Sequence, residues 1–467
     1  MVQFLRPLAL FLIIACAVSL FGCTPKEPAE LPKLEAGFGR ADLTPDFSVG
    51  LGGYSNPESR RSEGVADKIY ATCIAFREDD KTILLYTVDN CGMSQDQITS
   101  TRVFISTATG ISTKDIYIGA THTHSAPSLN SGDEAGKKYL ALFYSAMVDA
   151  GKLAIEDLSP VTVSTNTTRV ENMTFVRHYR LEDGSYAGSN FGDFEASPIA
   201  DHAAEADDRM VLIKFDRVDR KKKDILLMNW QGHPDQANEL GFLRISASYI
   251  GPLRSKMEAR TNMHFAFFTG ADGNQNIDSK IRSESHNKRW RAYGRTMASH
   301  ALKALRNMTP VQGDGIRTVQ VQFAAETDHS WDKMLPQATE VYNLWKAEGI
   351  QACDELCKRY DFTSVYQARA IISRSKMSKT ANLELNAFTV GGVGFVVGTY
   401  EMCSDAGIYI RANSPFETTF FCTGNSGYIP SAAAYDYRSY ESDTGMYAKG
   451  TAEKLAEKYV EMLNNIR

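Results

Sequence analysis

Asp115-Ile116-Tyr117-Ile118-Gly119-Ala120-Thr121-His122-Thr123-His124-Ser125 joins a short apolar run to two closely spaced histidines. Asp115 to Ala120 reads as a buried strand, because it is too short for a helix and rich in β-branched and aromatic residues. Apolar residues recur at helical spacing on either side of it, over Ser94 to Thr107 and over Ala135 to Leu158. A strand set between two helices points to an α/β chain. In extended backbone alternate side chains share a face, so His122 and His124 are expected to converge where the strand ends. Two converging imidazoles suit a metal ion, and a bare pair also suits two hydrogen-bonding histidines.

The interleaving continues outward from this stretch. Lys68 to Arg77 and Thr82 to Val88 are β-rich runs around Glu78-Asp79-Asp80-Lys81, the pattern of a hairpin. Further strands are expected over Met210 to Phe215, Ile225 to Trp230, His264 to Thr269, Thr318 to Phe323, Ala387 to Val390 and Gly394 to Thr399. Helices are expected over Ile250 to Arg260, Asn287 to Arg306, Gln337 to Ala347 and Gly445 to Asn464. Asp183 through Ile199 is polar and glycine-containing, a long surface loop by composition. No composition shift marks a domain boundary. The expected fold is therefore one large α/β domain, residues 37–467, with at least two mixed β-sheets flanked by helices and functional loops at strand ends.

Composition narrows the function classes. With 467 residues, 43% hydrophobic and 23% charged, the chain can bury a core, which excludes a disordered or fibrous protein. The formal net charge is -5, from 56 acidic and 51 basic residues without a long basic block, so nucleic acid is excluded as a partner. Arg6 precedes an apolar run from Leu8 to Phe21, too short to span a bilayer but suited to an export signal. It ends at Leu20-Phe21-Gly22-Cys23, which resembles a bacterial lipobox. Residues 1–22 are thus read as a lipoprotein-type signal peptide and Cys23 as the lipidated N-terminus of an exported, membrane-anchored bacterial lipoprotein. Residues 23–36, with Pro25, Pro28 and Pro32, are read as a tether. Cys73, Cys91, Cys353, Cys357, Cys403 and Cys422 remain for the body, and that compartment permits disulfides without the spacing giving a pairing.

Two more strand ends carry metal-ligand chemistry. In Met228-Asn229-Trp230-Gln231-Gly232-His233-Pro234, proline stops the ladder and leaves His233 at a strand exit. Gly394 to Thr399 exits into Tyr400-Glu401-Met402. His122, His233 and Glu401 together would give a hydrolytic zinc ion two nitrogens, a carboxylate and an open position. Alone, His233 or Glu401 fits a surface or hydrogen-bonded role as well.

With their flanks, these segments resemble the catalytic domain of the neutral, non-lysosomal ceramidases. The resemblance rests on Gly37-Phe38-Gly39-Arg40-Ala41-Asp42-Leu43-Thr44-Pro45, Gly52-Gly53-Tyr54, the Ala-Thr-His-Thr-His-Ser run, Gly232-His233-Pro234, Gly270-Ala271-Asp272-Gly273-Asn274-Gln275-Asn276, Thr399-Tyr400-Glu401, and Gly427-Tyr428-Ile429-Pro430 with Tyr440-Glu441. It implies a zinc ion held by His122, His233, Glu401 and Tyr428. It also implies His124 as a proton acceptor or orienting group, Tyr440 facing the substrate carbonyl oxygen, and Arg177, close to Arg180, facing the substrate. Taken without the family, Tyr428 and Tyr440 are two of 21 tyrosines and fit packing roles.

Two departures bear on the substrate. Where ceramidases carry Gly-Asp-x-Ser-Pro-Asn, Asn274 occupies the serine position, and its amide can donate a hydrogen bond but cannot replace a hydroxyl nucleophile. The chain also ends soon after the Gly445 to Asn464 helix, so no C-terminal β-sandwich of the kind ceramidases append is expected. The implied activity is zinc-dependent hydrolysis of the N-acyl amide of ceramide or a ceramide-like lipid. The alternatives are a carbohydrate-derived ester or amide as substrate, or a non-catalytic surface lipoprotein that captures ligands in the same pocket.

Overall fold

Ile116–Ala120 is a strand with every residue buried, as its unbroken apolar run requires. The computed structural model describes residues 31–54, 60–235, 242–277, 290–313, 315–424 and 427–467. The expected signal peptide and Cys23 lie outside them. Ile116–Ala120 ends a nine-stranded sheet whose order is His264–Thr269, Ile225–Trp230, Arg209–Arg217, Ser159–Arg169, Glu35–Asp42, Tyr70–Glu78, Lys81–Val88 and Ile116–Ala120, with Thr309–Val311 alongside Ser159–Arg169. The hairpin expected around Glu78 to Lys81 is present, with Glu78 opposite Lys81 and Asp79 at φ 49° closing the two-residue turn. A second sheet has four strands in the order Thr318–Glu326, Thr380–Val390, Val393–Gly398 and Thr419–Cys422.

The two sheets pack face to face around Val211, Ile213, Phe388, Phe395 and Phe420. Four helices, Gln95–Thr109, Glu134–Glu156, Ile250–Thr261 and Trp290–Ala304, bury Ile105, Phe143, Leu253 and Met297 against the other face of the large sheet. Ser404–Asn413 and Thr451–Asn465 cover the small sheet with Ile410, Leu455 and Tyr459. The result is a helix, sheet, sheet, helix stack within the single unit Pro32–Arg467. A fourth, smaller apolar cluster, including Val341, Phe362 and Ile371, holds together Leu335–Glu348, Asp354–Arg359 and Val365–Arg374.

Local chemistry sets the boundaries. Ser94 caps Gln95–Thr109 through a capping box with Gln97, and Gly110 ends it at φ 75°. Asp133 caps Glu134–Glu156 by accepting from the Gly136 amide. That helix lies directly on Glu35–Asp42, where a Cβ on Gly37 or Gly39 would stand 2.0 Å from the carbonyl oxygens of Ala154 and Ala150. This first strand starts inside the stretch read as tether, and Leu34 before it is already buried. Asp183 through Ile199 also differs from its expectation. It contains the strand Tyr186–Gly188 and buries Phe191, because its aromatic residues pack inward on Tyr437. The six cysteines of the described body are all free.

Three parallel pairs position the site. Lys81–Val88 lies beside Ile116–Ala120, Ile225–Trp230 beside His264–Thr269, and Val393–Gly398 beside Thr419–Cys422. Hydrogen bonds tie the residues that follow these strands to one another: Thr121 N–H donates to Val88, Gly270 to Trp230 and Thr423 to Thr269. The loops beyond the carboxyl ends of all three pairs therefore meet in one place, where open α/β sheets carry their ligands.

Candidate metal centre and its cavity

His122, His233 and Glu401 come together there, with ligand-capable atoms all within 4.8 Å of one another. The route differs from strand alternation. His122 has φ 65°, in the left-handed region, so the backbone kinks directly after the strand. The kink still leaves the rings of His122 and His124 with centroids 5.0 Å apart, and the His233 ring stands 4.6 Å from His122 and 5.0 Å from His124. Glu401 enters through a short parallel pairing of Glu401–Met402 with Tyr428–Ile429, which sets Glu401 opposite Tyr428.

Hydrogen bonds around the rings decide which nitrogen faces inward. His122 Nδ1 lies 3.0 Å from the Gly424 carbonyl oxygen, so Nδ1 carries the proton and donates it. Its Nε2 then faces Glu401 Oε2 at 3.3 Å. His233 Nδ1 faces the carbonyl and carboxylate of Asp272 at 3.4 and 3.5 Å. Its Nε2 approaches His124 Nε2 at 3.1 Å. A carbonyl or carboxylate behind each ring, fixing the tautomer, is the outer shell that metal-binding histidines need.

The residues fit a divalent cation. Among the described residues both carboxylate oxygens of Asp272 are buried without a hydrogen bond, and Glu401 Oε2 has only the His122 imidazole facing it, an arrangement too costly to leave uncompensated. Burial alone would depress His122, but the facing Glu401 carboxylate outweighs it and lifts His122 to about 9. Burial raises Asp272, with Glu401 adding to the effect. Two imidazoles and a carboxylate match zinc in particular. Burial, and then the charge on His122, lower both His124 and His233.

Beside this cluster stands a buried ionic network. The Arg177 guanidinium donates through Nε to Glu441 Oε1 at 2.7 Å and through an amino group to the Gly273 carbonyl at 2.9 Å and the Tyr428 hydroxyl at 3.3 Å. Glu441 also receives His178 Nε2 at 2.5 Å, while His178 Nδ1 pairs with the Tyr437 hydroxyl at 2.8 Å. Burial opposes ionisation of Glu441, but His178 and Arg177 outweigh it and hold the carboxyl at about 2. Arg177 is the buried arginine of its strand region, and Arg180 is exposed. Burial and the Glu401 charge push the Tyr428 phenol well above its ordinary value. Tyr440 lies with its ring 5.8 Å from that of Tyr428, and burial raises it to about 12.

A cavity of ≈ 920 Å³ opens above the cluster, with His124, His233, Arg177, Tyr428 and Tyr440 in its wall. Asn274 is not in that wall. Its amide accepts from the Ser404 N–H at 2.8 Å and pairs with the Ser404 hydroxyl at 3.3 Å, so it anchors the start of Ser404–Asn413. Sequence reasoning missed Cys91, which lines the cavity and forms a second close triad with His122 and His124. The Asp89-Asn90-Cys91-Gly92 turn directly after a strand was the available signal. The Gly188 to Phe194 loop, Tyr366 and Arg369 carry no such signal and reach the cavity only through tertiary packing.

No protein-family model and no curated protein matches the sequence. Solved structures do match in three dimensions. The neutral ceramidase from Pseudomonas aeruginosa superposes with a TM-score of 0.68 at 16% identity, covering 94% of this chain and 75% of that one. A ceramidase complexed with C2 gives 0.66 at 15% identity, covering 93% and 75%. The chain thus has the mixed α/β fold of the neutral ceramidases, and its three candidate ligands meet beyond the strand ends of that fold.

Proposed function

We propose that the protein is a zinc-dependent hydrolase of acyl bonds, of the neutral ceramidase type, acting on the amide of an N-acylated substrate. The observation that carries this reading is the meeting of His122, His233 and Glu401, buried carboxylate included, beside a cavity whose wall contains His233 and His124. Zinc bound by such a set acidifies water from about 15.7 toward about 7 and polarises a carbonyl. His124, in the cavity wall with its Nε2 3.1 Å from His233 Nε2, stands where it would take up the proton of the attacking water and return it to the leaving nitrogen. Tyr440 donates its hydroxyl hydrogen to the carbonyl oxygen as negative charge develops, and loss of one such donor costs about 2.7 to 4 kcal/mol in barrier. Arg177, fixed by Glu441, holds the Tyr428 hydroxyl by donating to it.

The cavity wall favours a second reading of the substrate. Among the described residues Leu129 is the one aliphatic side chain there besides Pro127, and the remainder is mostly aromatic, hydroxyl, amide or charged. Such a wall suits a polar, hydroxylated acyl substrate, as in a carbohydrate-derived amide or ester, better than a slot for a long alkyl chain. Metal analysis of the protein beside His122→Ala, followed by a product screen over ceramides and acylated sugars, tests both readings. His122→Ala is expected to lose bound metal and at least a thousandfold in turnover while keeping its circular dichroism. Full activity in that variant removes His122 from the chemistry, and metal binding without hydrolysis of any acyl substrate favours a capture protein.

A further inference from the structure

Val365–Arg374 belongs to the small helical module with its own apolar cluster, yet it sends two side chains into the cavity wall, Tyr366 and Arg369. Three residues apart on a helix, they share one face. From the metal cluster outward, Tyr428, Tyr440 and Tyr366 form a line of rings, with centroids 5.8 Å apart at each step and planes crossed at 70° and 90°. Arg369 lines the same cavity. Among the described residues two arginines line the wall: Arg177 is consumed by Glu441 and Gly273, whereas the exposed Arg369 guanidinium makes no hydrogen bond or ion pair with any of them. A guanidinium left without a carboxylate in the wall of a substrate-sized cleft presents a planar fork of donors to whatever enters. It is also a single positive charge, matched by a single negative one.

Resting on the hydrolase reading, we propose that the substrate carries a singly charged acid group, a carboxylate or a sulfate, which extends from the scissile bond along Tyr428, Tyr440 and Tyr366 to pair with Arg369. The anionic subsite belongs to the cavity and not to the metal cluster, so it can be measured without turnover. Chelator-treated protein is titrated by calorimetry with N-acetyl-ω-amino acids of graded spacer length, their neutral methyl esters and the matching alkyl sulfates. At the best spacer length an acid probe should bind at least tenfold more tightly than its methyl ester, with carboxylate and sulfate arms showing which head group fits. Arg369→Ala should bring the acid-to-ester ratio close to one, and Arg369→Lys should keep part of it. Equal binding of acid and ester, no binding of either, or an unchanged ratio in Arg369→Ala overturns the subsite. Absence of hydrolysis by the zinc-loaded protein, with the acid preference intact, overturns the hydrolase reading and leaves the subsite standing.

Discussion

Glu441 has 0% exposure and ionises against Arg177 and His178 together. Its carboxyl is held at about 2, below the ordinary 4.5, so its stabilisation is complete above the ordinary value and fades as the pH drops toward 2. By linkage this contribution is roughly 3 kcal/mol. Glu441→Gln should therefore lower stability in urea by roughly that amount at pH 7, since it leaves a buried guanidinium unpaired. The gap between variant and wild type should narrow below pH 4, and a gap that stays constant down to pH 3 rules this role out. His122 is held differently. Its left-handed φ of 65° costs on the order of 1–2 kcal/mol for a residue with a Cβ, and the bond from Nδ1 to Gly424 helps hold it there.

Among elements, what the sequence revealed depended on whether one segment's own pattern determined its surroundings. Ile116–Ala120 is buried on both faces and so reads as an apolar run. Gln95–Thr109 announces its start with Ser94 and Gln97 and its stop with Gly110. Ser159–Arg169 hid behind serine, threonine and asparagine, because its order comes from pairing along its length with Arg209–Arg217. Glu35–Asp42 hid behind glycines whose purpose is the close approach of a distant helix. The histidines and Glu401 were legible at strand exits, but the kink at His122 and the cavity face of Val365–Arg374 depend on contacts far apart in sequence. The Gly52 to Tyr54 loop shows the same dependence. Gly53 has φ 94°, and a Cβ there would stand 2.6 Å from the His124 ring. Gly53→Ala should push that ring aside and reduce kcat at least tenfold with metal content unchanged. An unaltered kcat would show that His124 tolerates the shift.

At the scale of the whole molecule, among the described residues no helix is long and apolar enough to cross a membrane. We propose that attachment rests on lipidated Cys23. Cys23→Ser should move the protein from the membrane fraction to the soluble fraction, and continued sedimentation with membranes rules the lipid out as its anchor. The ligand cluster has a mechanical side too. His122 and His233 follow strands of the large sheet, while Glu401 follows a strand of the small one. A cation gripping all three acts as a rivet through the sandwich. Chelation should lower Tm, by the equivalent of about 2.7 kcal/mol when the metal had been present at a hundred times its Kd. Hydrogen exchange should then quicken on both sides of the seam at once, around Thr121 to His124 and around Thr399 to Met402. On the proposed function, emptying the centre would end hydrolysis and also loosen the joint between the two sheets, so metal supply would govern how long each molecule lasts as well as whether it works.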